Sequence, residues 1–367
     1  MAQLTRSGSF SRMNRDISFL KRLLDAPGPS GFEVRAARAW RAEAETFAAD
    51  VRVDVNGNSY ATINSGGAPS VMLAGHIDEI GLQVTHVDEE GFLYVEEIGG
   101  WDPQVLVGQR VTVLSKGGDV PGVVGKKAIH LLQADERTKA SKVNQLWVDV
   151  GADSRDTATG MGIRVGDPIV IAQGMVELAG DRIASRAIDD RVGAFVVLEA
   201  IRLLAADPPA ASATAVATVQ EEIGFQGGGA RTSAYSLRPD VAIVVDVTFS
   251  TDVPDIEKKE IGEHELGGGP VLSRGSAAHN EVFEMLAAVA EEEKIPYTIQ
   301  ASPKSTRTDA DGIHLTRRGV PTGLVSVPNR YMHSPNEIVS VADLFHTAEL
   351  IAAFIRRLGP DTDFTPR

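Results

Sequence analysis

The chain predicts an α/β fold: a mixed sheet covered by helices on both faces, with a small β-barrel or sandwich domain inserted into it. Three observations lead there. Apolar strand-like runs alternate with helix-length segments, the pattern of a sheet buried on both faces. Between about 84 and 176 that texture gives way to short Val- and Gly-rich pieces separated by turn residues, as in small barrels and sandwiches. A length of 367 residues also exceeds what one ordinary core organises, so two domains are expected.

Residues 1–15 read as a flexible N-terminal tail, Ser- and Arg-rich, without the apolar core of a secretory signal. "DISFLKRLLDAPGPSGFEVRAARAWRAEAETF" has helical spacing on both sides of a Pro-Gly-Pro-Ser-Gly break. "VRVDVNGNSYATIN" alternates like a hairpin with an Asn-Gly turn. "SVMLAGHIDEIG" is a short apolar strand that meets polar residues at its end. The inserted module supplies "FLYVEEIGG", "QRVTVLSKGGDVPGVVG", "QLWVDVG" and "GDPIVIAQG". Helices then return in "RVGAFVVLEAIRLLAA", "NEVFEMLAAVAEEEKI" and "DLFHTAELIAAFIRRL", interleaved with strands "ATAVATVQ", "DVAIVVDV" and "TGLVSVP". The α/β domain is therefore expected over 16–83 plus 177–360, split by the β-rich domain at 84–176, with 361–367 as a C-terminal tail.

Composition narrows the function classes. A net charge of −14 argues against a nucleic-acid surface, which needs a basic patch. No run of apolar residues is long enough to span a membrane. The absence of cysteine removes disulfides, thiolate nucleophiles and sulfur metal ligands. A metal site here must use carboxylates and imidazoles, and a cytoplasmic enzyme is the simplest reading.

Ligands of open α/β sheets bind beyond the carboxyl ends of the strands. Four such ends carry metal-capable residues: His76 and Asp78 after "VMLAG", Glu221 and Glu222 after "TAVATVQ", Asp246 after "AIVV", and His333 after "GLVSVPNRYM". "SRAIDDRVG" sets Asp189 and Asp190 immediately before a helix. Each has a plainer explanation: a satisfied polar strand end for either histidine, a helix N-cap for the Asp pair, a loop cap for Asp246, a solvated end for the glutamates. Together they aim two imidazoles and several carboxylates at one crevice. Such donors suit zinc, cobalt or manganese. With an imidazole for each of two ions and an Asp to bridge them, the set fits a dinuclear centre. Asp78 has the spacing to accept the second ring N–H of His76 and fix its tautomer. One of the two adjacent glutamates would hold an ion and the other take a proton from water, in an order the residues leave open.

In "PGPSGFE", "AGHIDEIG", "SRAIDDRVG", "VQEEIGFQGG", "VVDVT" and "TDADGIHLTRRGVPTGLVSVPNRYMHSPNE", the chain resembles the dinuclear metallo-aminopeptidases that include the glutamyl and tetrahedral (TET) aminopeptidases, some of them formerly called cellulases or endoglucanases. The motifs follow the family's order across nearly the whole chain after the tail. The resemblance implies a zinc-peptidase-like catalytic domain and two divalent metal ions per subunit, zinc or cobalt, with manganese as a further candidate. It implies Asp189 as the bridging carboxylate, His76 and Asp246 on one ion, Glu222 and His333 on the other, and Glu221 as general base to a bridging water. Asp190 stays outside the ligand set, and Asp309 and Asp311 in "TDADG" carry no assigned role. Thr306-Arg307 stands where the family pattern has small residues, a departure that bears on substrate choice. The implied substrates are peptides with a free N-terminus, and the implied assembly is a tetrahedral dodecamer. Two rival readings are an endo-glucanase, which needs two carboxylates and no obligatory metal, and a non-catalytic metal-binding scaffold.

Overall fold

The computed structural model describes residues 16–224 and 227–366; the expected tail at 1–15 lies outside the described residues. Two helices, α1 (Ser18–Asp25) and α2 (Val34–Ala44), flank the Pro-Gly-Pro-Ser-Gly turn. Strands β1 (Asp50–Val53) and β2 (Ser59–Ile63) pair antiparallel. Their turn is held by the Asp54 carboxylate, whose Oδ1 accepts the N–H groups of Asn56, Gly57 and Asn58. Strand β3 (Ser70–His76) follows.

The chain then builds a closed barrel from β4 (Gly81–Val87), β5 (Leu93–Ile98), β6 (Arg110–Ser115), β7 (Gly118–Gly125), β8 (Trp147–Asp149) and β9 (Pro168–Ile171), in the order β4-β5-β8-β7-β6-β9. Closure leaves no strand edge unpaired. Leu82, Val84, Leu93, Val111, Val113 and Val148 fill a core separate from the rest of the molecule.

Past β10 (Val176–Glu177) and β11 (Arg182–Ser185), and apart from one helical turn at Lys258–Ile261, the remaining elements are α3 (Ile188–Ala205), β12 (Ser212–Thr218), α4 (Gly228–Leu237), β13 (Val241–Phe249), β14 (Val271–Arg274), α5 (Asn280–Glu293), β15 (Thr298–Ala301), α6 (Asp309–Ile313), β16 (Thr322–Asn329), β17 (Glu337–Ser340) and α7 (Val341–Arg356). The main sheet has eight strands in the order β1-β2-β12-β3-β13-β16-β14-β15. It is mixed. Strands β12, β3, β13 and β16 run parallel, so their carboxyl ends share one edge, while β2 runs antiparallel to both its neighbours and β14 runs antiparallel to β16 but parallel to β15.

Alternation along β3 divides the core between the two faces of the sheet. Val71 and Leu73 pack with Leu23, Trp40, Phe195 and Phe354, whereas Met72 and Ala74 pack with Ala230, Ala234 and Ile313. Helix α4 and the short strands β14 and β15 were not anticipated from the sequence. The helix opens on glycines and holds Ser and Thr, poor helix formers, and four residues are too few to show a period.

One close approach sets the site. A Cβ on Gly75 would lie 2.4 Å from the Gly193 carbonyl carbon, so β3 and α3 meet backbone to backbone. That contact seats the start of α3, with its two aspartates, beside His76.

Candidate metal centre and catalytic cleft

The parallel strand ends and the start of α3 converge as the sequence pattern predicts. Asp189 and Asp190 leave helical angles at the start of α3. Asp190 does the capping: its Oδ1 accepts Gly193 N–H at 3.0 Å and its Oδ2 accepts His76 N–H at 3.1 Å. Asp189 is thereby left for the site. Its Oδ1 lies 3.1 Å from His76 Nε2 and its Oδ2 lies 3.4 Å from His333 Nε2. One carboxylate thus stands between two imidazoles, with an oxygen for each.

The glutamate pair is resolved by a turn. Strand β12 ends at Thr218, and Gln220 adopts φ +60°. The pair has therefore left strand geometry, and both side chains line the same cavity instead of pointing to opposite faces. Glu222 Oε2 lies 3.3 Å from His333 Nε2, whereas Glu221 Oε2 lies 3.8 Å from His76 Nε2. Asp246, on β13, is buried, and with His76 and Asp190 it offers donor atoms within 4.8 Å of one another. A second such group is His76, Asp189 and Glu222.

Asp78 is the hub beneath these residues. It is fully buried and accepts hydrogen bonds from Ser30 Oγ at 2.5 Å, Glu221 N–H at 3.2 Å and Glu222 N–H at 3.1 Å. It also faces His76 Nδ1 at 3.4 Å, which turns Nε2 toward Asp189. For His333 the orienting group is the Gly100 carbonyl, 2.7 Å from Nδ1, in the loop after barrel strand β5. A carbonyl only accepts, so Nδ1 carries the proton and Nε2 is the free donor atom.

Some supporting residues escaped the sequence reading. Glu337 accepts the Asp189 N–H at 3.0 Å through Oε2 and the His333 N–H at 2.9 Å through Oε1, tying together the segments that carry Asp189 and His333. Ser30 and Glu337 do lie inside "PGPSGFE" and "SPNE"; the signal available was a polar residue in each motif loop. The Gly100 carbonyl has no side-chain signal at all.

The electrostatics describe a site built around cations. Burial pushes Asp190, Asp246 and Glu337 well above the usual carboxylate range. It also carries Glu221 up to about 10, with His76 opposing and Asp246 and Asp309 adding to the rise. Burial alone would raise Asp189 too, yet its contacts with His333 and His76 hold it well below that range. Contacts with Asp189 and Glu222 lift His333 to about 11. The side chains therefore bring together more negative charge than this burial tolerates. A positive charge at the centre relieves it. Glu222 Oε1, buried and without a hydrogen-bond partner among the described residues, points the same way. The imidazole and carboxylate donors fit divalent transition ions.

The cluster opens onto a cavity of about 1360 Å³ lined by Asp189, Glu221, Glu222, Asp246 and His333, with Lys304, Arg307 and Phe249 farther along its wall.

A buried imidazole–carboxylate cluster at the carboxyl edge of an α/β sheet has the make-up of a metal-dependent hydrolase. Comparison with known proteins makes that specific. The M42 glutamyl aminopeptidase family model matches residues 57–350, and the chain belongs to that family. It is 36% identical to the lysyl aminopeptidase of Pyrococcus furiosus over 96% of this chain and 99% of that one. Its fold is similar to the TET aminopeptidase of the archaeon Thaumarchaeota archaeon SCGC AB-539-E09, with a TM-score of 0.88, 35% identity, and coverage of 94% and 96%. It is also similar to the Pyrococcus horikoshii TET1 peptidase, which can assemble into a tetrahedron or a large octahedral shell, with a TM-score of 0.83, 30% identity, and coverage of 93% and 99%. The activity that follows is that of a metallo-aminopeptidase. Among the described residues no helix is long and apolar enough to cross a membrane.

Proposed function

We propose that this chain removes the N-terminal residue of peptides at a dinuclear centre, with Asp189 bridging two divalent ions, zinc or cobalt foremost. His76 and Asp246 complete one ion's set, and Glu222 and His333 the other's. The observation that carries the reading is Asp189 itself, one oxygen facing each imidazole at 3.1 and 3.4 Å. When bound, the ions supply Lewis acidity to the scissile carbonyl and acidify water. Glu221 lines the same cavity, its Oε2 3.8 Å from His76 Nε2, and its carboxylate takes the proton of the attacking water and delivers it to the departing amine. Asp78 and the Gly100 carbonyl hold the imidazoles in the tautomer the ions require, and Glu337 keeps the segments carrying Asp189 and His333 in register.

We take residues 84–176 as a module inserted into the catalytic domain that serves assembly and substrate access. The subunit is proposed to work as a cytoplasmic homo-oligomer, a tetrahedral dodecamer by analogy with the TET structures.

Aminoacyl-p-nitroanilides test the chemistry. Chelated protein should be inactive, and cobalt or zinc should restore release from free-amine substrates but not from N-acetylated ones. Glu221→Gln should lower kcat by about 10²–10⁴ with metal content unchanged. Activity that survives chelation, or full activity in Glu221→Gln, would remove the proposal.

A further inference from the structure

We propose that Asp309 receives the free α-ammonium of the substrate, as a buried carboxylate that lines the reaction cavity with one oxygen unpartnered among the described residues. This rests on the aminopeptidase reading and assigns a residue to the feature that makes the reaction require a free N-terminus.

Asp309 is only 2% exposed, yet it lines the cavity with Glu221 and Asp246. Its Oδ2 accepts the Thr218 hydroxyl at 2.5 Å, and Thr218 is itself fully buried at the carboxyl end of β12. Its Oδ1 is buried and has no hydrogen-bond partner among the described residues. Helix capping does not account for it. Thr308 is the N-cap of α6, accepting the Ala310 N–H at 3.2 Å.

Elimination among the carboxylates lining the cavity leads to the same residue. Asp189, Glu222 and Asp246 are taken by the metal centre and Glu221 by proton transfer. Both oxygens of Asp311 are occupied, by the Thr306 and Arg307 N–H groups and the Ser305 and Thr306 hydroxyls. Asp309 remains, pinned on one side and open on the other. A primary ammonium supplies N–H donors for Oδ1 and a positive charge for a desolvated carboxylate. A secondary acetamide supplies one neutral donor and added bulk. The preference for a free N-terminus then has a structural cause separate from the metals.

The test compares leucine hydroxamate with its des-amino analogue, 4-methylpentanohydroxamate, by calorimetry on the metal-loaded protein. Leucyl-p-nitroanilide kinetics and metal content are measured alongside. Asp309→Asn should weaken leucine hydroxamate about 10- to 150-fold, the range of one charge-assisted hydrogen bond. The des-amino ligand should change less than about 3-fold, and the loss on the leucyl substrate should appear chiefly in KM. Thr218→Val, which keeps the charge and loosens its aim, should lower the same selectivity by a smaller factor; it carries the test if Asp309→Asn does not fold. Equal losses on both ligands, or an unchanged preference for the amine in the folded variants, would overturn the assignment. Failure of the wild type to release any residue from a panel of free-amine aminoacyl-p-nitroanilides would instead strike the underlying reading.

Discussion

Replacing Glu79 by Gln tests what holds the floor of the site. Glu79 follows Asp78 in sequence, and its side chain is only 3% exposed. Oε1 accepts Arg191 Nη2 at 2.8 Å and Gly28 N–H at 3.0 Å, and Oε2 accepts Arg186 Nη1. Arg191 is wholly buried and also donates to the carbonyls of Leu23, Leu24, Ala26 and Ile77; burial pushes its pKa down to about 10. Gln removes the one carboxylate among the described residues that contacts both guanidinium groups. Breaking a buried pair in this way costs about 3–5 kcal/mol, because a desolvated charge is left without a counterion. At roughly 2 °C per kcal/mol for a chain of this size, the thermal midpoint at pH 7 should fall by about 6–10 °C.

The variant should also change the pH response. Burial alone would raise the Glu79 pKa, yet Arg186 and Arg191 hold it below the ordinary glutamate value. The folded pKa is the depressed one, so its stabilisation is complete above the unfolded value of about 4.3 and is lost as pH falls through the folded value. The wild type should therefore lose this increment below about pH 4, while Glu79→Gln should lack it at every pH. Circular-dichroism melts of both proteins from pH 3 to 8 measure this. A midpoint shift under about 2 °C at pH 7, or parallel acid limbs, would refute Glu79 as the counterion of the two arginines.

The other predictions concern residues that support the ligands. Asp78→Asn should weaken metal binding about 10- to 100-fold, read by chelator competition, since the Asn side chain cannot accept from Ser30, Glu221 and Glu222 together and loses the charge facing His76; unchanged affinity would deny Asp78 its orienting part. Gly193→Ala should destabilise the fold by about 1–3 kcal/mol, because its Cβ would lie 2.2 Å from Asp190 Oδ2; a melt matching the wild type would show that the Asp190 carboxylate can shift at no cost. His333→Ala should lower bound metal from two ions per subunit toward one, measured by elemental analysis, and retention of both would remove His333 from the ligand set.

Much of the architecture was legible locally. The Asn56-Gly57 hairpin, the apolar run into His76 and the long helix after Asp190 each announce themselves in a few residues, because strand alternation, turn chemistry and helix period are short-range properties. The break at Gln220 and the brief strands at Val271–Arg274 and Thr298–Ala301 were not legible, since nothing in so short a window distinguishes them from loop.

The candidate site divides along the same line. Residue type and position at strand ends marked His76, Asp78, Glu221, Glu222, Asp246 and His333 as donors, and the motifs marked Asp189. Which of two adjacent aspartates caps the helix and which turns inward depended on where α3 meets β3, at Gly75 and Gly193. Which atom orients His333 depended on a barrel carbonyl 233 residues away in the chain. That Asp309 keeps an open oxygen on the cavity wall depended on Thr218, 91 residues before it. Hydropathy and turn chemistry are summed over neighbours in sequence and can be read from it. A hydrogen bond between distant segments needs both partners within about 3 Å, and only the packed sheet brings them there.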